Sequence, residues 1–119
     1  MEATREWDAR IAEQLGLEIL DGWYVKHEAG ALVYYGRAVP TIDEPDVWSP
    51  TTRIQDAMWL WDDIWDSGVE WMGLDQTGKD QFECTVCGLW DEWTISSGVQ
   101  HTRELAICET WRKRKGGEE

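Results

Sequence analysis

The sequence is poor in cysteine, in basic side chains and in long apolar runs. Its 119 residues include three cysteines, and eleven lysines and arginines stand against 24 acids. A small, odd number of cysteines in a chain without an apolar leader is typical of reduced thiols, not of a disulfide scaffold. No run approaches the roughly 18 apolar residues that a membrane span needs. These absences predict a soluble, cytoplasmic protein.

The shortage of positive charge is greater along most of the chain than the total indicates. Four of the eleven basic residues form one run, Arg112 to Lys115, so residues 1–111 carry 22 acids and 7 bases, a net charge of −15. Such a surface repels nucleic acid and anionic membranes, and it attracts basic partners. High negative charge also keeps a protein soluble without any partner. The composition therefore argues against nucleic-acid binding, and it is compatible with a basic partner as well as with solubility alone.

Motifs that carry enzyme chemistry are also missing. No GxSxG, Walker or dinucleotide-binding string occurs, and His27 and His101 lie in no nucleophile–base pattern. The acidic cluster around Asp62 has neither the spacing nor the glycine of an EF-hand. We therefore predict a protein that is not an enzyme.

The string CTVCG is the one pattern typical of metal ligands. Cys84 and Cys87 could supply half of a tetrahedral zinc site, with His101 and Cys108 as the remaining candidates. On a regular strand, however, residues three apart point to opposite faces, and the acids nearby disfavour a reactive thiolate. We expect no cofactor, with zinc on Cys84 and Cys87 as the alternative to two ordinary thiols.

Local patterns predict one layered α+β domain over residues 1–111 and a disordered, charged tail over residues 112–119. The predicted helices span 4–15, 52–68 and 102–111. They are expected to begin at threonine caps, namely Thr4, Thr52 with Gln55 in a capping box, and Thr102. Ser49 followed by Pro50 is an alternative start of the second helix, one turn earlier. The predicted strands are a hairpin within 23–35 and a small antiparallel sheet of 69–74, 81–87 and 93–96.

The second predicted helix, within TTRIQDAMWLWDDIWDSG, holds three of the ten tryptophans in seven residues. At 100° per residue its side chains separate into an apolar stripe and an acidic face. The stripe expected in the core is Ile54, Ala57, Met58, Trp61, Ile64 and Trp65. The face expected in solvent is Gln55, Asp56, Trp59, Asp62, Asp63 and Asp66. Trp59 is thus a large aromatic side chain on an acidic face.

Ten tryptophans exceed what one small core can bury, since each indole N–H needs a partner. We expect exposure at Trp59, Trp90 and Trp48. An exposed ring among carboxylates is typical of a binding site for a basic partner, although Trp59 could instead cover a sheet edge or the segment 17–47. The predicted partner-binding residues are Trp59, Asp56, Asp62, Asp63 and Asp66, together with Asp43, Glu44 and Asp46 of the acidic turn DEPD.

Three strings resemble the phage ABA sandwich domain family. They are WDARIAEQLG, WSPTTRIQDAMWLWDDI after a VP pair, and TRELAIC, which together span about residues 7–112. The resemblance implies an α-β-α layered sandwich with about three helices and a phage or prophage origin. It implies no established chemistry and no catalytic residues. Arg103-Glu104, where the family has Ala-Pro, and the CxxC string depart from the pattern.

Together these patterns predict a non-enzymatic phage accessory protein whose acidic, tryptophan-bearing surface binds a basic host target. One such target is the nucleic-acid-binding groove of a defence nuclease, for example a CRISPR effector, in which the protein would compete with DNA. The alternative is a structural or housekeeping phage protein that forms a homodimer through its aromatic patch.

Overall fold

A computed structural model describes residues 2–38 and 47–115. Over these ranges the chain has three α-helices and two antiparallel three-stranded sheets, which confirms the predicted α+β class. The helices are α1 (Arg5–Gln14), α2 (Ile54–Trp65) and α3 (Arg103–Arg114). The strands are β1 (Glu18–Leu20), β2 (Trp23–Glu28), β3 (Ala31–Arg37), β4 (Trp71–Gly78), β5 (Gln81–Cys87) and β6 (Thr94–Ser96). No helix in the described ranges is long and apolar enough to span a bilayer.

The chain divides into two compact units, an N-terminal unit (Ala3–Ser49) and a C-terminal unit that begins at Pro50. In the N-terminal unit α1 begins where the sequence predicts, because Thr4 Oγ1 accepts a hydrogen bond from the Trp7 N–H at 3.1 Å. Gly16 follows the helix with φ +82°, a conformation that carries no steric penalty for glycine. The predicted hairpin is β2 and β3, and β1, which the sequence patterns missed, pairs with β2.

A fully buried tryptophan lies at the centre of the N-terminal unit. The Trp48 indole N–H donates to the Asp8 carbonyl oxygen at 3.0 Å. The Trp48 ring meets Tyr24 and Tyr35 edge-on, with ring centroids 6.4 and 5.9 Å away. The prediction that Trp48 is exposed is therefore wrong. Its partners come from α1 and from the strands β2 and β3.

The C-terminal unit is built around α3. This helix packs on β5 on one side and against α2 on another, and its residues Leu105 to Trp111 are all buried. Thr102 Oγ1 accepts a hydrogen bond from the Leu105 N–H at 3.1 Å, so the predicted cap is confirmed. The strands β4, β5 and β6 form an antiparallel meander, as the sequence predicts.

Helix α2 begins later than the sequence predicts. Its N-cap is Arg53, which has extended backbone angles and makes no side-chain capping hydrogen bond. The predicted capping box of Thr52 and Gln55 is therefore wrong. The end is closer to expectation, since Gly68 takes φ +92° three residues after the last helical residue, Trp65.

The basic run that was expected in a disordered tail belongs to α3 and its C-cap. Lys113 Nζ donates to the Ser96 carbonyl oxygen at 2.9 Å, and Arg114 Nη2 donates to the Ser67 carbonyl oxygen at 2.7 Å. Positive charge at a helix C-terminus is favourable, which further stabilises this turn. The prediction of disorder is wrong for residues 112–115, and residues 116–119 lie outside the described ranges.

Candidate interaction surface

Helix α2 presents a different face to solvent from the one predicted. Its buried residues are Asp56, Ala57, Leu60 and Ile64. Ile54, Met58 and Trp65, which were expected in the core, are 40%, 39% and 40% exposed. Relative to the predicted orientation, the helix is rotated by roughly a quarter turn, about the 100° that separates neighbouring residues.

The exposed face of α2, which we call the α2 face, combines apolar and acidic side chains. Its members are Ile54, Gln55, Met58, Trp59, Asp62, Trp65 and Asp66. On a helical projection the aliphatic and aromatic side chains of residues 54, 58 and 65 form one flank, and Trp59 forms the other. Asp62 and Asp66 lie between the two flanks. The two carboxylates are therefore bordered by apolar side chains on both sides.

Trp59 is 38% exposed, so its predicted place on a solvent-facing, acidic side of the helix is confirmed. It is not the single misplaced ring that the sequence suggests, because three other large apolar side chains of α2 are exposed to the same extent. The site is a helix face, with Trp59 at one margin.

Two of the predicted partner-binding acids are engaged within the protein. Asp56 is 4% exposed, and its carboxylate lies 3.8 Å from Arg53 Nε. Asp63 is half-buried and accepts a hydrogen bond from the Trp111 indole N–H at 2.8 Å. Lys115 Nζ lies 2.9 Å from the same Asp63 oxygen. Placing Asp56 on an open binding surface is therefore wrong, because its carboxylate is buried. Asp63 is partly exposed but paired within the protein, so its role in partner binding stays a prediction.

The remaining acids of the prediction have different outcomes. Asp62 and Asp66 are exposed, as expected. Asp43, Glu44 and Asp46 lie outside the described residues, so the second predicted acidic element stays a prediction. Of the four α2 carboxylates that the sequence predicts on the exposed side of the helix, the structure places two, Asp62 and Asp66, on the α2 face.

The three thiols are all buried in the C-terminal unit. Cys84 pairs with Leu74 and Cys87 pairs with Trp71 across the β4–β5 ladder, so the two cysteines occupy opposite faces of the sheet. Burial raises the pKa of the Cys84 thiol, a hydrogen bond with the Thr110 side chain lowers it, and the charge of Asp75 raises it further. The net shift is upward and keeps the thiol protonated.

A tetrahedral metal site on Cys84 and Cys87 would need two further ligands, and the described residues do not supply them. No group of three or more His, Cys, Asp or Glu side chains in residues 2–38 and 47–115 could hold an ion together. Cys108 Sγ donates to the Pro50 carbonyl oxygen at 3.3 Å, and His101 is exposed.

Trp90 is the most exposed large apolar side chain of the described residues, at 84%. It lies in the 3₁₀ turn Leu89–Asp91 between β5 and β6, where its backbone takes the left-handed angles φ 59° and ψ 26°. The predicted exposure of Trp90 is confirmed. The sequence carries no signal for its backbone conformation, since glycine or asparagine is the usual residue there.

One surface groove of about 400 Å³ lies in the N-terminal unit beside α1. Its lining residues are Ala9, Glu13, Leu17, Ile19 and Tyr24. Glu13 and Tyr24 are the titratable side chains of this lining, so the groove offers no pair of carboxylates.

Comparison of the chain with family models, with curated proteins and with solved structures gave no match. The resemblance to the phage ABA sandwich domain family therefore stays a prediction. The features of the described residues that bear on function are the α2 face and the turn that carries Trp90.

Proposed function

We propose that the protein is a non-enzymatic binding protein whose α2 face docks on a basic partner protein. The observation that carries this proposal is the exposure of four large apolar side chains on one helix, with two carboxylates between them. The four are Ile54, Met58, Trp59 and Trp65, each between 38% and 40% exposed. Exposed large apolar side chains gathered on one face of a helix are a mark of interaction sites.

The spacing of the apolar side chains suits a helix that lies in a groove of its partner. Ile54, Met58 and Trp65 stand at i, i+4 and i+11, and the half-buried Trp61 fills i+7. This is the anchor pattern of helix-in-groove recognition. Tryptophan and methionine are both enriched at such interfaces. The tryptophan ring buries a large area at a low cost in rotamer entropy, and the flexible methionine side chain adapts to the shape of the partner. These side chains would supply most of the affinity.

The charge of the chain points to the chemistry of the partner. The formal net charge is −13, and the largest cluster of bases, Arg112 to Lys115, is bonded within the protein. Asp62 and Asp66 therefore face solvent in a strongly negative field, which speeds association with a basic surface and slows it with an acidic one. We propose a partner groove that is apolar at its base and lined by lysine or arginine.

A finer proposal rests on the resemblance to phage proteins. In it the protein acts in the cytoplasm of a bacterial host, and the partner is a nucleic-acid-binding groove of a defence nuclease. Competition with DNA would depend on occupying the groove, because a continuous row of phosphate-like carboxylates on α2 is interrupted where Asp56 is buried and Asp63 is paired. Apolar docking is then the larger contribution and phosphate mimicry the smaller one.

The test begins with capture of basic proteins from a bacterial lysate by the immobilised wild-type chain. The captured protein is then purified, and its affinity is measured for wild type, Trp59→Ala, Met58→Ser and Asp62→Asn. We expect the two apolar changes to weaken binding at least tenfold, as for hot-spot residues. Asp62→Asn should mainly slow association and flatten the salt dependence.

A matched control for these changes is Tyr34→Ala, which removes an exposed aromatic ring from the N-terminal unit. Binding unaffected by Trp59→Ala and Met58→Ser would contradict docking through α2. Loss of the thermal unfolding transition in those two variants, but not in the control, would show that their side chains are needed for folding.

A second candidate function is self-association through the same α2 face, since exposed apolar side chains also favour a homodimer. The two candidates respond oppositely to salt. In a dimer, Asp62 and Asp66 of one copy would lie close to the same carboxylates of the other and repel them. Salt screens this repulsion and should strengthen the dimer, whereas salt weakens binding to a basic partner. Light scattering after size exclusion at low and high salt, on wild type and Trp59→Ala, separates them.

A further inference from the structure

The turn between β5 and β6 is held by packing and hydrogen bonds and carries a tryptophan that is exposed to solvent. The Gly88 N–H donates to the Trp93 carbonyl oxygen at 3.0 Å, which closes the turn. A Cβ at residue 88 would overlap the Trp93 indole, so the turn is packed directly on that ring. Arg114 covers Trp93 from above, with its guanidinium carbon 4.5 Å from the ring centroid. The turn therefore rests on α3.

Within this turn Trp90 carries two energetic costs. A left-handed backbone disfavours any residue with a Cβ, by about 1 kcal/mol or more. An indole ring that is 84% exposed leaves its apolar surface in water. Strain combined with exposure on a well-supported turn is typical of a residue kept for contact with another molecule.

The surroundings of Trp90 are apolar and acidic. Leu89, the residue before Trp90, is 53% exposed. Trp71 pairs with Cys87 at the same end of the sheet and is 50% exposed, but its ring lies over Gly73 and so away from the turn. Glu70 and Glu92 are exposed there too, and their backbone N–H groups donate to the carbonyl oxygens of Cys87 and Leu89. Exposed rings beside carboxylates are complementary to a cation with a flat, weakly hydrated surface.

We propose that Trp90, with Leu89 beside it, forms a second docking surface that takes an arginine side chain from a basic segment of a partner. The protein already uses this pairing for its own rings, with Arg114 over Trp93 at 4.5 Å, Arg37 over Trp23 at 4.5 Å and Arg10 over Trp7 at 5.2 Å. Trp90 is a ring of the same kind presented outward. This proposal takes the basic character of the partner from the proposed function, but it does not depend on docking through the α2 face.

Arginine is favoured over lysine at this surface for a physical reason. The guanidinium group is planar, so it stacks on an indole while its N–H groups reach neighbouring carboxylates such as Glu92. The ammonium group of lysine is compact and more strongly hydrated, and it gives up more solvation on the same ring.

The test uses a synthetic peptide of alternating arginine and serine as the probe, with a lysine–serine peptide of equal length as its match. Affinity is measured by calorimetry at low ionic strength for wild type, Trp90→Gly and Ala29→Gly. Ala29 is the matched control, because it is also an uncharged non-glycine residue in the left-handed region, at φ 50°, in the turn between β2 and β3. Both glycine variants should keep or raise the thermal midpoint, since glycine relieves the backbone strain.

We expect Trp90→Gly to weaken binding of the arginine peptide by about fivefold to tenfold, and Ala29→Gly to leave it unchanged. The lysine peptide should bind wild type more weakly than the arginine peptide. No binding of the arginine peptide, equal affinity in wild type and Trp90→Gly, or self-association of wild type that Trp90→Gly removes would each overturn the proposal.

A further variant, Trp59→Ala, separates this surface from the α2 face. Peptide binding that survives Trp59→Ala but not Trp90→Gly supports the Trp90 surface, whatever the lysate capture shows for α2. Peptide binding lost in Trp59→Ala and kept in Trp90→Gly overturns the Trp90 surface and leaves the α2 proposal standing.

Discussion

The two units of the protein differ in how far their tryptophan side chains are exposed to solvent. In the N-terminal unit Trp48 is fully buried, Trp23 lies between Arg37 and Tyr34, and Trp7 lies under Arg10. In the C-terminal unit Trp111 is fully buried, but four tryptophans are between 38% and 84% exposed. These four are Trp59, Trp65, Trp71 and Trp90.

The difference shows what limits the burial of tryptophan in a small unit. Each buried indole here donates to an acceptor distant in the sequence, the Asp8 carbonyl oxygen for Trp48 and the Asp63 carboxylate for Trp111. Such an acceptor satisfies a donor that would otherwise cost about 1–3 kcal/mol. The C-terminal unit holds seven of the ten tryptophans and fully buries one of them. Tryptophans in excess of the core are therefore available for contacts with other molecules.

Removing the buried ring of each unit should destabilise the protein more than any other change. Trp48→Ala and Trp111→Ala should each lower the free energy of unfolding by about 3–5 kcal/mol, whereas Trp90→Ala should change it by less than about 0.5 kcal/mol. Denaturant unfolding followed by circular dichroism measures all three.

The same measurement tests the predicted single domain. If residues 1–111 fold as one domain, both core variants shift one common transition. Two transitions, each moved by only one of the variants, would show that the units unfold separately and that the single-domain prediction is wrong.

A smaller effect is expected where a tryptophan supports the backbone. Gly88→Ala would place a methyl group in the Trp93 ring, which Arg114 covers, and should cost about 1–3 kcal/mol by overpacking. Gly73→Ala meets the Trp71 ring in the same manner, but that ring is half exposed and can turn away. We expect Gly73→Ala to cost much less in thermal unfolding. Equal losses would show that exposure does not measure the freedom of these rings.

The helix caps should contribute about equally to the two units. Thr4→Ala in α1 and Thr102→Ala in α3 each remove one capping hydrogen bond, at a cost of about 1 kcal/mol. Serine keeps the hydroxyl, so Thr4→Ser and Thr102→Ser should recover most of the loss in chemical denaturation. A serine variant as unstable as its alanine counterpart would argue against a capping role.

One contribution to the dependence of stability on alkaline pH should come from Cys84, a buried thiol of the C-terminal unit. The pKa of Cys84 is raised on folding, mainly by burial, so the folded state holds this proton more tightly. The resulting stability is fully present below the ordinary thiol pKa, 9.0, and is lost as the pH rises above it toward the folded pKa. Between about pH 8 and about pH 10, wild type should lose more stability than Cys84→Ala. Parallel pH profiles would contradict this origin.

Local sequence patterns predicted the elements that are set by local chemistry. The caps at Thr4 and Thr102, the stop at Gly16 and the meander of β4 to β6 all follow from neighbours within a few residues. Strand β1 escaped notice because three residues carry too little pattern, and it is ordered by pairing with β2.

The orientation of α2 could not be predicted because the helix has apolar side chains around most of its circumference. Two faces compete for the core, and packing against α3 decides between them. The side of α2 that faces the protein includes Asp56 and Asp63, whereas the rule that carboxylates face solvent predicts the opposite orientation. Asp63 is compatible with that face because Trp111 and Lys115, about fifty residues further on, contact its carboxylate. No local pattern contains that information.

The last turn of α3 also determines how far the chain can be shortened. A chain ending after Lys115 retains the bonds of Lys113 to Ser96, of Arg114 to Ser67 and of Lys115 to Asp63. A chain ending after Trp111 loses all three and uncovers the Trp93 ring that supports the turn of Trp90. Affinity tags and fluorescent labels therefore belong beyond residue 115, and a truncation at 111 would alter the β5–β6 turn as well as the helix end.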